Sequence, residues 1–255
     1  MNETGLNRWR NRVALVTGAS AGIGEAVATA LAAAGMRLAL TARRGERLET
    51  LAAAIRAAGG EALVVPADAR DEAALLNVFE TIRRTWGGVD VLVNSAGLGR
   101  VAPVASGATE HWREMWEVNV LALSICTREA LSDMARRGDD GHIIHISSMS
   151  GHRVPQGRGG MYSATKHAVR ALTEALRAEL NAVGRMSRVT AISPGYVESE
   201  FAEVMLGDAE AAEALYGRYP CIQVEDIAEA VRYVLAQPPQ VQIHDILLRP
   251  TRQPT

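Results

Sequence analysis

Tyr162 and Lys166 stand four residues apart in the run Tyr-Ser-Ala-Thr-Lys. On a helix that spacing places both side chains on one face. A phenol titrates near ~10 in water, too high for a good base near neutral pH. An ammonium beside it favours the phenolate and lowers that value. A Tyr/Lys pair in a cleft can therefore exchange a proton with a substrate oxygen. The same spacing also arises in two unconnected surface residues.

A second chemistry lies near the start of the chain, where Thr17-Gly18-Ala19-Ser20-Ala21-Gly22-Ile23-Gly24 follows an apolar run. The glycines allow a tight turn and let backbone N–H groups approach a pyrophosphate. The positive end of the following helix points at the same anion. A glycine turn with no ligand would read alike in isolation. Its place at the first strand–helix junction favours a dinucleotide. The next strand ends Leu38-Ala39-Leu40-Thr41-Ala42-Arg43-Arg44. An acidic residue there would accept hydrogen bonds from the adenosine ribose, and none is present. Arg43 and Arg44 can pair bidentately with a 2′-phosphate that a carboxylate would repel, so NADP(H) is the expected cofactor. A solvated arginine pair is the alternative.

These groups need a scaffold, and the hydrophobic pattern supplies one. Short apolar runs predict strands over 13–17, 37–42, 62–66, 89–94, 142–147, 188–193 and 241–248. Longer Ala/Leu/Arg-rich stretches predict helices over 22–34, 47–58, 72–86, 111–137, 162–183 and 224–236. Strands that are apolar on both faces and separated by helices imply a doubly wound, mostly parallel seven-stranded α/β sheet with helices on both faces, Rossmann-like. The segment 196–219 reads as irregular or loosely helical, and suits a substrate loop.

Bulk properties exclude several classes. A chain of 255 residues with 48% hydrophobic residues suits one large domain spanning 1–255. A net charge of -2 with no long run of one sign offers no footprint for nucleic acid or an anionic membrane. Arg8, Arg10 and Arg12 read as a solvated basic arm. The two cysteines, Cys126 and Cys221, have no metal-ligand or redox spacing, and two free thiols are expected. Residues 1–11 are polar, and no run reaches the ~18 apolar residues of a spanning helix. A cytoplasmic location is expected. No metal site is expected, because hydride transfer with a tyrosine acid needs none.

The glycine turn, Asn94-Ser95-Ala96-Gly97, Asn119, Ser147-Ser148, the Tyr162/Lys166 pair and Pro194-Gly195 occur in the order found in short-chain dehydrogenases/reductases. The resemblance runs from about Arg12 to Pro250. More narrowly, 119–130, 141–154 and the Arg249-Pro250-Thr251 ending resemble the subgroup of that family that includes dehydrogenase/reductase member 11 and clavulanate-type aldehyde reductases.

The resemblance implies roles. Tyr162 is the general acid/base, and Lys166 lowers its pKa and holds the nicotinamide ribose. Ser148 hydrogen-bonds the substrate oxygen, and Asn119 holds a water linking Lys166 to solvent. Gly18, Ser20, Gly22, Ile23 and Gly24 line the pyrophosphate. Asp68, with Ala69 beside it, meets the adenine, and Asn94 and Gly97 the adenosine side. Pro194, Gly195 and Val197 border the nicotinamide, with Ser199 where the family often has threonine. Two departures stand out. Ser95 replaces a second asparagine, and the gap from Ser148 to Tyr162 is one residue longer than the commonest spacing. Either the loop 152–161 bulges, absorbed by Gly157, Gly159 and Gly160, or Ser147 takes the place of Ser148. The bulge is favoured.

Other residues invite bland readings. His145, between Ile144 and Ile146, reads as packed and hydrogen-bonded. His152 lies in a loop that shapes the substrate pocket and is a lesser candidate for substrate contact. Trp112 and Trp116 read as a buried or interface face. The expected activity is oxidation or reduction of a small-molecule carbonyl or alcohol, an aldehyde or ketone, ketosteroid-like or otherwise apolar. Dehydrogenation of small 3-hydroxy acids or serine-like alcohols is the runner-up. A non-catalytic NADP(H)-binding sensor is the reading of another class, disfavoured because Asn119, Ser148, Tyr162 and Lys166 are all present. A homodimer or homotetramer is expected, with no nucleic-acid or membrane partner.

Overall fold

In the first strand, β1 (Val13–Thr17), all five residues are buried. Alternate side chains leave a strand on opposite faces. Ala14 and Val16 enter one apolar cluster with α1 (Gly22–Ala33) and α2 (Gly45–Ala57). Val13 and Leu15 enter a second cluster with α3 (Glu72–Trp86). This is the physical meaning of an apolar run with no polar face: two helical layers bury one sheet. The computed structural model describes residues 5–155 and 159–254.

The remaining strands are β2 (Arg37–Thr41), β3 (Glu61–Val64), β4 (Val91–Asn94), β5 (His142–Ile146), β6 (Arg188–Pro194) and β7 (Asp245–Leu248). They lie in the order β3-β2-β1-β4-β5-β6-β7. Each neighbouring pair is parallel, so the expected sheet is confirmed and is parallel throughout. The chain reverses its direction of travel between β1 and β4. In open parallel sheets ligands bind beyond the strand C-termini at such a switch point. The turn after β1 and Ser95-Ala96-Gly97 after β4 meet there. Ser95 and Ala96 donate their N–H groups to Thr17 Oγ1 at 3.1 and 3.0 Å.

Three local expectations change. The long helix predicted over 111–137 is α4 (Thr109–Trp116), a π-helical turn (Glu117–Ala122) and α5 (Leu123–Arg136). The segment 196–219 is helical in two pieces, α7 (Phe201–Leu206) and α8 (Ala209–Tyr216), after α6 (Gly160–Ala182) and before α9 (Val224–Ala236). The strand predicted over 241–248 begins only at Asp245. Upstream, Arg188 Nη1 takes the Val241 carbonyl at 2.9 Å and Thr190 Oγ1 the Ile243 carbonyl at 2.6 Å.

Of the arm expected to be solvated, Arg10 is exposed but Arg8 and Arg12 are packed and paired. Arg8 and Arg12 lie over the buried Trp9 ring, 4.9 and 5.9 Å from its centroid, and both pair with Asp140. Arg12 also meets Asp90 at 3.3 Å. Trp9 Nε1 donates to the Leu235 carbonyl at 2.8 Å, which pins the N-terminus to α9. Both cysteines are free. Among the described residues no helix is long and apolar enough to cross a membrane.

Candidate active site

Tyr162 and Lys166 occupy the first turns of α6, as the spacing predicted. The Lys166 ammonium lies 5.8 Å from the Tyr162 ring centroid and donates to the Ile146 carbonyl at 2.9 Å. Burial pushes the Tyr162 phenol up to about 12, and a hydrogen bond with the Ser148 side chain pulls the other way. Burial also pushes Lys166 down to about 8. The sequence reading had the ammonium lowering the phenol. In the fold burial dominates the phenol instead, and the ammonium spends a hydrogen bond on the Ile146 carbonyl.

Ser148, not Ser147, faces Tyr162. Its Oγ also accepts the Ser150 N–H at 3.0 Å, which caps the short turn Met149–Gly151. Ser147 is buried and turned toward Gly151, where an added Cβ would lie 3.2 Å from its Oγ. Of the three glycines offered to absorb the longer loop, Gly157 lies outside the described residues. His152 does not face the pocket. Its Nε2 lies 3.2 Å from Ser193 Oγ and 2.9 Å from Asp245 Oδ2, so it anchors the loop to β6 and β7.

Asn119 sits within the π-helical turn, a distortion that recurs at functional sites. Its Oδ1 accepts from Leu98 N, and its Nδ2 donates to the Leu98 carbonyl, both at 2.9 Å. The same Nδ2 donates to Thr165 Oγ1 at 3.1 Å. Its side chain therefore fastens the loop after β4 to α6, next to Tyr162 and Lys166. An added Cβ on Gly97 would lie 3.5 Å from Asn119 Oδ1 and 3.7 Å from Lys166 Nζ. Asn119, Ser148, Tyr162, Lys166 and Gly97 thus form one cluster of neighbours.

The glycine turn is tight for identifiable reasons. Gly18 has φ +69, and a Cβ there would be 2.8 Å from Ala96 Cα. A Cβ on Gly24 would be 2.3 Å from the Gly18 carbonyl oxygen. Gly22 packs below Ser199, whose Cβ would stand 3.4 Å from an added Cβ. Such a cradle, open to backbone N–H groups, fits a pyrophosphate. Ser20 Oγ accepts from Arg44 Nε at 3.2 Å, and Arg43 contributes its positive charge at Asp68. A hydroxyl and two exposed guanidinia form a donor set that fits a 2′-phosphate. The Asp68 carboxylate is held by Arg70, through Nη2 at 2.6 Å and the backbone N–H at 2.9 Å, with Ala69 packed behind it. Pro194 ends β6. Gly195 closes against the chain end, where a Cβ would meet Gln253 Oε1 at 2.2 Å. Val197 is buried and bridges to Ile222.

The buried Asn94 amide nitrogen donates to Thr127 Oγ1 at 3.1 Å and to the Leu123 carbonyl at 3.4 Å, so it ties β4 to α5. It begins a chain that sequence reasoning missed. Thr127 Oγ1 lies 3.1 Å from His145 Nε2, and His145 Nδ1 lies 2.9 Å from Thr173 Oγ1. Thr173 donates to the Val169 carbonyl at 2.7 Å, so it must accept from His145 Nδ1–H. Thr127 accepts from Asn94, so it donates to a bare Nε2. One neutral tautomer satisfies every group. Three polar side chains on different elements leave no local trace in sequence, although His145 was expected to be packed and hydrogen-bonded, and it is.

Burial holds His145 down to about 3 and His142 well below its usual value, each reinforced by a nearby cation. Both bind protons in the unfolded chain near ~6.5 and not in the native one. Their contribution to stability is complete above that pH and is lost as pH falls below it. With both groups in that window, stability should drop by about 2.7 kcal/mol per pH unit. Urea unfolding at pH 7, 6 and 5 measures this, and a flat profile would refute the neutral assignment.

A model of the short chain dehydrogenase family matches residues 12–208. The chain is 51% identical over 255 residues to dehydrogenase/reductase SDR family member 11 of Bos taurus, covering 98% of this chain and 100% of the relative. It is 41% identical over 250 residues to a farnesol dehydrogenase of Aedes aegypti, covering 96% of this chain and 98% of the relative. Among solved structures, the closed form of a serine dehydrogenase complexed with NADP+ superposes with a TM-score of 0.89 at 35% identity, covering 95% of this chain and 96% of that one.

Proposed function

Because the chain belongs to the short-chain dehydrogenase family, we propose that this oxidoreductase works with NADP(H) on the carbonyl or alcohol group of an apolar substrate. The observation that carries the reading is the cluster in which Asn119, Ser148, Tyr162 and Lys166 neighbour one another. NADP(H), when bound, supplies or accepts the hydride. Tyr162 hands a proton to the substrate oxygen, and Ser148 donates a hydrogen bond to the charge growing there. Lys166 reaches the cofactor ribose, while Asn119 fixes the floor between them. A phenol held protonated is the proton donor that reduction requires.

The wall over Tyr162 supports an apolar substrate. The Phe201 ring stands 5.6 Å from the Tyr162 ring, centroid to centroid. Phe201 and Met205 converge on Gly99, where an added Cβ would lie 3.0 Å from each. The Aedes relative is named for farnesol, an apolar alcohol. The serine dehydrogenase neighbour favours a second reading, a small hydroxy acid. A carboxylate there would ask for a cation facing the pocket. Arg100, at its edge, is already committed to Glu114 at 2.9 and 3.2 Å and to the Val204 carbonyl at 2.9 Å. NADPH consumption against aldehydes, diketones, ketosteroids, farnesal and the keto-acid counterparts of 3-hydroxy acids decides between them. Activity confined to the acids would favour the second.

Cofactor choice should follow Arg43 and Arg44. NADPH is expected to bind at least ten-fold more tightly than NADH, about 1.4 kcal/mol. Arg44→Ala should erase most of that difference. Equal binding of the two cofactors in titrations of the wild type would remove the argument.

We also place a twofold partner on the face formed by the π-helical turn, α5 and α6. Leu121 there is 56% exposed and Leu172 37% exposed, with Trp116 alongside. A dimer or tetramer with closed symmetry covers such a surface. Sedimentation at micromolar concentration should show one, and Leu121→Glu should shift it toward monomer. A wild-type monomer would overturn the assignment.

A further inference from the structure

Glu200 stands immediately before α7, where the segment over the pocket begins. Its Oε2 accepts from Arg44 Nη1 at 2.8 Å, and its Oε1 accepts from Arg47 Nη1 at 2.5 Å. Those two hydrogen bonds lower its carboxyl pKa. Arg44 at the same time reaches Ser20 in the glycine turn. One carboxylate from the pocket segment therefore occupies two guanidinia at the place where the cofactor's 2′-phosphate is expected. Neither Glu200 nor Arg47 figures in the motif that pointed to the cofactor.

A carboxylate and a phosphate monoester offer similar oxygens to a guanidinium fork. They also repel each other, so a 2′-phosphate and Glu200 do not share Arg44 without cost. The side chains of Arg44, Arg47 and Glu200 are 45, 51 and 43% exposed. Ion pairs this open are weak, which leaves Glu200 displaceable by a ligand of higher charge.

We propose that Glu200 is an internal stand-in for the 2′-phosphate. It competes with the cofactor for Arg44 and Arg47, tunes affinity for NADP(H) alone, and links the first turn of α7 to the state of the phosphate site. Arg47 is then a second guanidinium for the phosphate. The inference rests on the NADP(H) reading above.

Titrations of wild type and Glu200→Gln with NADPH, NADH, adenosine 2′,5′-bisphosphate and adenosine 5′-monophosphate test it. The two adenosine ligands carry no nicotinamide and differ from each other only in the 2′-phosphate, so their difference reports that site. Glu200→Gln should tighten NADPH and the bisphosphate about three- to tenfold, the range expected from removing one or two exposed ion pairs. NADH and the monophosphate should stay within about twofold. With Arg44→Ala and Arg47→Ala in place, Glu200→Gln should change nothing. Unaltered or weakened binding of the two 2′-phosphorylated ligands in Glu200→Gln, equal tightening of all four, or an effect that survives loss of both arginines would overturn this inference alone. Equal wild-type affinity for ligands with and without the 2′-phosphate would overturn the cofactor reading and this inference with it.

Discussion

Tyr162→Phe is expected to lower turnover at least ~100-fold and to leave NADPH binding close to wild type. The substitution removes one hydroxyl and keeps the ring that packs against Phe201. Positioned acid/base groups typically supply about 10²–10⁴ in rate, and here that group is the phenol hydrogen-bonded to Ser148. A pH profile separates its role from that of Lys166. With Tyr162 raised to about 12, the phenol stays protonated through the neutral range and reduction shows no titration from it there. Lys166, lowered to about 8, loses its positive charge as pH rises through that value. The reductive rate should therefore fall above pH 8 with the slope of one proton. Turnover and NADPH binding measured on the same Tyr162→Phe sample decide the first point. Wild-type-like turnover would show that another group moves the proton.

What could be read from the sequence was local. The glycine turn, the Tyr162/Lys166 pair and the buried strands each declare themselves within a few residues, and the fold places them as expected. The π-helical turn at Glu117–Ala122 left no mark, because a one-residue slip in backbone pairing changes neither composition nor apolar spacing. The Asn94–Thr127–His145–Thr173 chain was hidden because its members come from four separate elements. The motif around Asn94 is visible, but the tie from its amide nitrogen to α5 is not. Arg8 and Arg12 looked like a solvated arm until Asp140 and Asp90, far along the chain, supplied their partners. The loop after His152 was read as shaping the pocket. The histidine itself turned to Ser193 and Asp245, which lie 41 and 93 residues further on, so no local pattern announced it.

Gly24→Ala should weaken NADPH binding at least ~100-fold, a loss of about 2.7 kcal/mol. The added Cβ would stand 2.3 Å from the Gly18 carbonyl oxygen, 2.8 Å from its carbon and 3.1 Å from Ala19 Cα. All three are backbone atoms, so no side chain can swing aside. Gly18 has little room to retreat, because Ala96 packs so closely on it that a Cβ added to Gly18 would lie 2.8 Å from Ala96 Cα. The turn must open or α1 must back away from it, and either movement spoils the aim of the N–H groups at the pyrophosphate. Overpacking typically costs about 1–3 kcal/mol, and a clash with backbone alone takes the upper end, about 3 kcal/mol. In a chain of this size that lowers the melting temperature by about 6–12 °C. Gly22→Ala is the control. It meets only Ser199 Cβ at 3.4 Å, and its cost is that of an alanine at φ +57, about 1–2 kcal/mol. The two variants should therefore separate, with Gly24→Ala much the more damaging to binding even where both remain folded by circular dichroism. If folded Gly24→Ala bound NADPH as tightly as wild type, the backbone of this turn would not be what holds the pyrophosphate.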